Sequence, residues 1–101
     1  MKTETLKLVT IIVQDSLADA LKKLVEEAGA KGYTYQTVAG KGAHGSREST
    51  EWEGANVKIE VIVSEEISNK ILEQIREQFL NKFALVVFVV DAQVIRAGYF
   101  I

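Results

Sequence analysis

The strongest constraint on what this chain can fold into is an internal repeat at an offset of 50 residues. Val9 stands against Ile59, Ile11 against Val61, Val13 against Val63, Leu17 against Ile67, Leu21 against Ile71 and Val25 against Ile75. Each half begins with a β-branched run of strand length, Leu6 to Val13 (LKLVTIIV) and Val57 to Val63 (VKIEVIV). An apolar stripe at helical spacing follows each run: Leu17, Leu21, Leu24, Val25 and Ala28, then Ile67, Ile71, Leu72, Ile75 and Phe79. Ser16 and Ser64 stand where N-caps belong, and Asp19, Glu65 and Glu66 favour the positive helix ends. Gly29 occupies the first stop position. Further strands are predicted from about Tyr33 to Val38 and from Ala84 to Val90, with a short terminal strand or arm from Val94 to Tyr99.

A strand–helix–strand unit used twice gives an α+β domain of the ferredoxin-like, split βαβ-βαβ kind. One four-stranded antiparallel sheet then carries both helices on one face. A chain of 101 residues has room for one such domain, spanning 1–101.

A sheet covered on one side only should alternate apolar and polar residues. The first strand does not, because Leu6, Leu8 and Ile12 oppose Val9, Ile11 and Val13. The fourth departs further, with Leu85, Val87 and Val89 opposed to Val86, Phe88 and Val90. Two helices cannot cover both faces, so other copies of the chain are expected against the second. A hydrophobic content of 48% suits a small domain that buries surface in an oligomer.

Charge and composition remove several function classes. A net charge of -2 argues against a nucleic-acid binder, which needs a basic face. Without cysteine there is no disulfide, thiolate metal site or cysteine nucleophile, and a single histidine, His44, cannot complete a metal or catalytic set. No metal site and no catalytic residues are therefore expected. The residues Met1 to Glu4 carry no signal pattern, and no apolar run nears the roughly 20 residues that span a bilayer. A cytoplasmic protein is the expectation.

Between the halves lies AGKGAHGSRESTEWEG, Ala39 to Gly54, with the long polar loop itself placed at about 41–54. Connections of this length are commonly functional or unstructured. Gly40 and Gly42 permit close backbone approach to a ligand, and Lys41 and Arg47 could clamp phosphate oxygens. Glycine with scattered charge equally describes a solvated connection, and composition leaves both readings open. Neither GxxxxGK[ST] nor a helix-opening GxGxxG is present, so phosphate-loop and Rossmann binding are not expected. Trp52 reads either as a partner anchor or as packing over the third strand, and Glu48, Glu51 and Glu53 as a solvated acidic rim. Glu60, inside an apolar strand, invites a salt bridge with Lys58 or a neighbour.

GAKGYTYQTVAGKG (Gly29 to Gly42), GSRES, EGANVKIEVIV (Glu53 to Val63) and NKFALVVFVVDAQVI (Asn81 to Ile95) together resemble the P-II-like signalling proteins. The match is strongest to the SbtB-like, carboxysome-associated branch connected with inorganic carbon uptake. This resemblance implies a homotrimer that binds adenine nucleotides (AMP, ADP, ATP or cyclic AMP) in clefts between subunits, with bicarbonate as a further possible ligand. The loop at 41–54 looks like the family's T-loop, which presents itself to a partner, here a membrane bicarbonate transporter or another carbon-uptake protein. Membrane association would be peripheral, through that partner. Carried over by position, Gly32, Tyr33 and Thr34 would line the adenine pocket and Gly40, Lys41 and Gly42 the loop base beside ribose and phosphates. Arg47 matches a phosphate-binding arginine, Leu85, Val86 and Val87 the strand flanking the base across the subunit boundary, and Arg96 could reach a neighbour's phosphate.

Some departures narrow what is implied. His44 stands where the SbtB-like pattern has a further arginine, the loop has no tyrosine to modify, and Asn81 to Ala84 holds no glycine. Uridylylation and 2-oxoglutarate sensing of the conventional kind are thus not expected, nor is regulation through a cysteine-bearing tail. Two other readings share the scaffold: a ferredoxin-like small-molecule or metal-tolerance sensor, and a slow nucleotide hydrolase.

Overall fold

The computed structural model describes residues 2–40 and 56–101. Strand β1 (Glu4–Gln14) leads through a single 3-10 turn at Asp15–Leu17 into helix α1 (Ala18–Ala28), and β2 (Thr34–Val38) follows. The second half contains β3 (Asn56–Val63), α2 (Glu65–Gln78) and β4 (Val86–Val94), and closes with a 3-10 turn at Ala97–Tyr99. The sheet order is β2-β3-β1-β4 with every pair antiparallel, the split βαβ arrangement that the repeat predicts.

The repeat is visible in the pairing of the two central strands. Thr10 lies directly opposite Glu60, its own counterpart at the 50-residue offset, so a pseudo-twofold axis runs between them. The same pairing sets Val9 against Val61, Ile11 against Ile59 and Val13 against Val57. All six are buried and lie under the helices. Leu21, Leu24, Val25 and Ala28 of α1 and Ile71 and Ile75 of α2 complete one core with them. Leu85, Val87 and Val89 pack against that core from the β4 side. Both helices thus occupy one face of the sheet.

Local chemistry sets the helix ends, with one correction. Ser64 is the N-cap of α2, its Oγ accepting from the Ile67 amide at 3.2 Å. Ser16 is not the N-cap of α1. The 3-10 turn moves the helix start onward to a Leu17 cap, and the Ser16 Oγ accepts instead from Gln14 Nε2. At the far end of α1, Gly29 takes φ 124°, and Ala30 N–H reaches back to Val25 O. A Cβ on Gly29 would lie 2.6 Å from Ile67 Cδ1, so this glycine both ends α1 and lets α2 approach.

The C-terminus differs from expectation. No terminal strand follows β4. Strand β4 itself runs on to Val94, pairing with Glu4, and the next residues turn back as a 3-10 turn. Ala97 is buried and anchors that turn. A small residue followed by Gly98 cannot extend the ladder as the preceding valines do. Among the described residues no helix is long and apolar enough to cross a membrane.

The helix ends can be tested by their contribution to stability. Ser64→Ala should cost about 1 kcal/mol in urea unfolding, and Ser16→Ala distinctly less. Gly29→Ala should cost roughly 1–3 kcal/mol, since it combines a positive φ with a clash at Ile67.

Candidate functional site

The face of the sheet away from the helices carries the features of interest. Across it run Leu6, Leu8, Thr10 and Ile12 of β1, Lys58, Glu60 and Ile62 of β3, and Val86, Phe88 and Val90 of β4, as the pairing register dictates. Val86, Phe88 and Val90 remain 42%, 46% and 46% exposed. An uncovered apolar band of this kind on a small domain marks an association surface.

Where this face meets the C-terminal turn there is an open recess of about 410 Å³. Lys31, Gly32, Tyr33 and Thr34 form one side, Glu60, Val61, Ile62 and Leu8 the floor, and Tyr99 and Phe100 the other side. Three predicted site residues, Gly32, Tyr33 and Thr34, are thus brought together. They lie where the chain enters β2, at the outer edge of the sheet. Tyr33 also stacks at a tilt on Tyr35, with centroids 6.1 Å apart, and Lys22 Nζ lies 3.4 Å from the Tyr35 centroid and 5.8 Å from that of Tyr33. The cation braces an aromatic pair that would otherwise stand free on an edge strand.

The remaining predicted residues are elsewhere. Leu85 to Val87 sit at the start of β4, on the opposite edge of the sheet, three strand spacings or about 14 Å from β2. Gly40 lies past the other end of β2, six residues from Thr34 and exposed. Arg96 borders a second hollow of about 490 Å³, together with Gln93, Val94, Ile95, Tyr99 and Phe100. The two aromatic residues are therefore shared between both hollows. Lys41, Gly42 and Arg47 lie outside the described residues, as do His44, Trp52, Glu48, Glu51 and Glu53.

Glu60, Tyr99 and Phe100 were not among the residues that sequence reasoning put in a site. Glu60 faces the recess, and its carboxylate accepts a long hydrogen bond, 3.5 Å, from the Thr10 hydroxyl. Among the described residues its expected ion pair with Lys58 does not form, and the salt bridges there are Lys7 with Asp91 and Lys22 with Asp19. The signal for Glu60 was legible as a lone carboxylate in an apolar strand. Tyr99 and Phe100 gave none, because only the turn at Ala97 folds them over the sheet.

At the other end of the central pair, Gln14 lies opposite Asn56, at the root of segment 41–55. Gln14 Oε1 and Asn56 Oδ1 are buried there without a hydrogen-bond partner among the described residues. Chemically, the recess combines aromatic and aliphatic walls, the backbone of Gly32 to Thr34, one carboxylate and a lysine. That suits a flat, polar-edged ligand better than an extended apolar one. Among the described residues no cluster of His, Cys, Asp or Glu is placed to hold a metal ion.

Residues 6–99 match the family model described as nitrogen regulatory protein P-II. A PII-like signalling protein from Thermus thermophilus is 38% identical, with a TM-score of 0.84 and all of both chains covered. CPII from Thiomonas intermedia, in a structure described as bound to ADP and bicarbonate, is 35% identical with a TM-score of 0.85, covering 99% of this chain and 98% of that one. A second CPII structure, described as bound to ADP, AMP and acetate, gives 33% identity and a TM-score of 0.86 over 99% and 98% of the two chains.

Proposed function

Because the chain belongs to the P-II family, we propose that it is a signal-transduction protein that binds adenine nucleotides between the subunits of a homotrimer. One observation carries this reading. The expected adenine-flanking residues are divided between the two outer edges of one sheet, Gly32 to Thr34 at β2 and Leu85 to Val87 at β4. An apolar band that nothing in the described chain covers lies between them. Only a second copy, seated on that band, can bring one chain's β4 edge to another's recess. Covering Val86, Phe88 and Val90, each already half-buried, would stabilise the assembly by roughly 1 kcal/mol apiece. Closed association of three copies would give three equivalent clefts.

The ligands described for CPII, ADP, AMP and bicarbonate, support the ligand class. In this reading Gly32, Tyr33 and Thr34 receive the base, with Leu85, Val86 and Val87 of a neighbour against its other side. Gly40, Lys41 and Gly42 adjoin the ribose and phosphates, and Arg47 and Arg96 supply charge-assisted contacts to phosphate. ATP and cyclic AMP are further candidates, and bicarbonate is a co-ligand. Segment 41–54 acts as the T-loop, reporting the bound nucleotide to a carbon-uptake partner such as a membrane bicarbonate transporter. The protein is then cytoplasmic and binds rather than transforms its ligand.

Calorimetric titration of AMP, ADP, ATP and cyclic AMP, with and without bicarbonate, tests the ligand. Saturable adenine-nucleotide binding at one site per subunit is expected, weakened about ten- to a hundredfold for phosphorylated ligands in Arg47→Ala. Binding of amino acids or Cu²⁺ without any nucleotide would sink the proposal. Light scattering tests the assembly: three chains are expected for the wild type, and a smaller, still folded species for Phe88→Glu. A monomeric wild type would remove the inter-subunit site.

A further inference from the structure

We infer that Tyr99 is a positioning residue that holds the Arg96 guanidinium ready for the anionic group of the ligand. The inference rests on the nucleotide reading above and adds to it a residue that no family pattern in the sequence singles out. The Arg96 guanidinium carbon stands 5.0 Å from the centroid of the Tyr99 ring, within the range of a cation–π contact. The ring in turn is held edge-on by Phe100, at 5.4 Å between centroids and 82° between planes. Both aromatic residues belong to the C-terminal turn, in which Tyr99 N–H donates to Arg96 O at 2.9 Å and Phe100 N–H to Ala97 O at 3.0 Å. Buried Ala97 fixes that turn on the domain. Arginine, ring and turn therefore form one unit, although Tyr99 itself is 68% exposed.

The position of this unit gives it a role. Tyr99 and Phe100 wall the recess of Gly32, Tyr33 and Thr34 on one side and border the hollow of Arg96 on the other. A large aromatic left this exposed contributes little to the core, but it sets where the guanidinium sits between the two hollows. An exposed arginine at the start of a turn samples many rotamers, and ordering it on binding costs affinity. Resting on Tyr99 removes part of that cost beforehand, and the planar guanidinium has N–H donors to offer phosphate oxygens. The ligand class this serves is a planar base carrying an anionic group, and the hold on Arg96 favours the anionic part, apart from the recess wall that Tyr99 gives any base.

Calorimetry on the purified oligomer with ADP and with adenosine, which has no phosphate, separates that role from simple packing. In Tyr99→Leu, the preference for ADP over adenosine should fall about two- to fivefold, the worth of an exposed cation–π contact, beyond any loss the two ligands share through the recess wall. Tyr99→Phe, which keeps the ring, should match the wild type. Adding Tyr99→Leu to Arg96→Met should not lower that preference beyond Arg96→Met alone. An unchanged preference for ADP over adenosine in Tyr99→Leu, or additive losses of that preference in the double variant, would each overturn the inference. Failure of the wild type to bind ADP would instead remove the nucleotide reading itself. The stack has its own test without ligand: the Arg96 Nε–H proton should show an upfield ring-current shift in NMR spectra, kept in Tyr99→Phe and lost in Tyr99→Leu. No such shift in the wild type would mean that Tyr99 does not hold the guanidinium.

Discussion

The antiparallel pairing of β1 with β3 about Thr10 and Glu60 is the constraint on which the rest of the structure depends. Because the pairing is centred on repeat-equivalent residues, the two halves are related by a near-twofold rotation normal to the sheet. Such a rotation keeps each half on the same side. The odd-numbered residues of both central strands, Val9, Ile11, Val13, Val57, Ile59, Val61 and Val63, therefore share one face and draw both helices onto it. Shifting the pairing by one residue would turn one strand's apolar set away from the helices, so burial of this set enforces the register.

The same rotation leaves the opposite face without a helix. Leu8, Ile12 and Ile62 there are only half-buried, and Val86, Phe88 and Val90 are more exposed still. The C-terminal turn closes over one end of this face and makes a recess with the entry to β2, while the β4 edge stays open. A fold that buries one face so fully and leaves the other apolar keeps a surface suited to association. The open apolar face follows from where the two helices are not, and the strand order sets Gly32 to Thr34 and Leu85 to Val87 at its two edges.

Much of this was legible in the sequence. The 50-residue repeat, the Ser64 cap, the Gly29 stop and the doubly apolar first and fourth strands could be read directly, because burial and helix ends impose local patterns. Gly32, Tyr33 and Thr34 came from family resemblance, and these consecutive residues line one side of the recess. What escaped were features without a local pattern. Ser16 has the chemistry of a cap but stands inside a 3-10 turn, and strand propensity near Val94 gave no warning of the turn at Ala97. Glu60 was noticed as an odd charge that invites a salt bridge with Lys58 or a neighbour, whereas its hydrogen bond is from Thr10, its partner across the strand pair and not a sequence neighbour.

By itself, then, the sequence determined which residues make strands and helices, which faces are apolar, and that one domain repeats a single unit. Those properties depend on side-chain type and spacing along the chain. Tertiary structure alone decided that Tyr99 and Phe100 fold back to wall the recess and that Gly32 to Thr34 and Leu85 to Val87 end on opposite edges of one sheet. These depend on strand order and on a turn that crosses the sheet, which bring together residues tens of positions apart with no periodicity linking them.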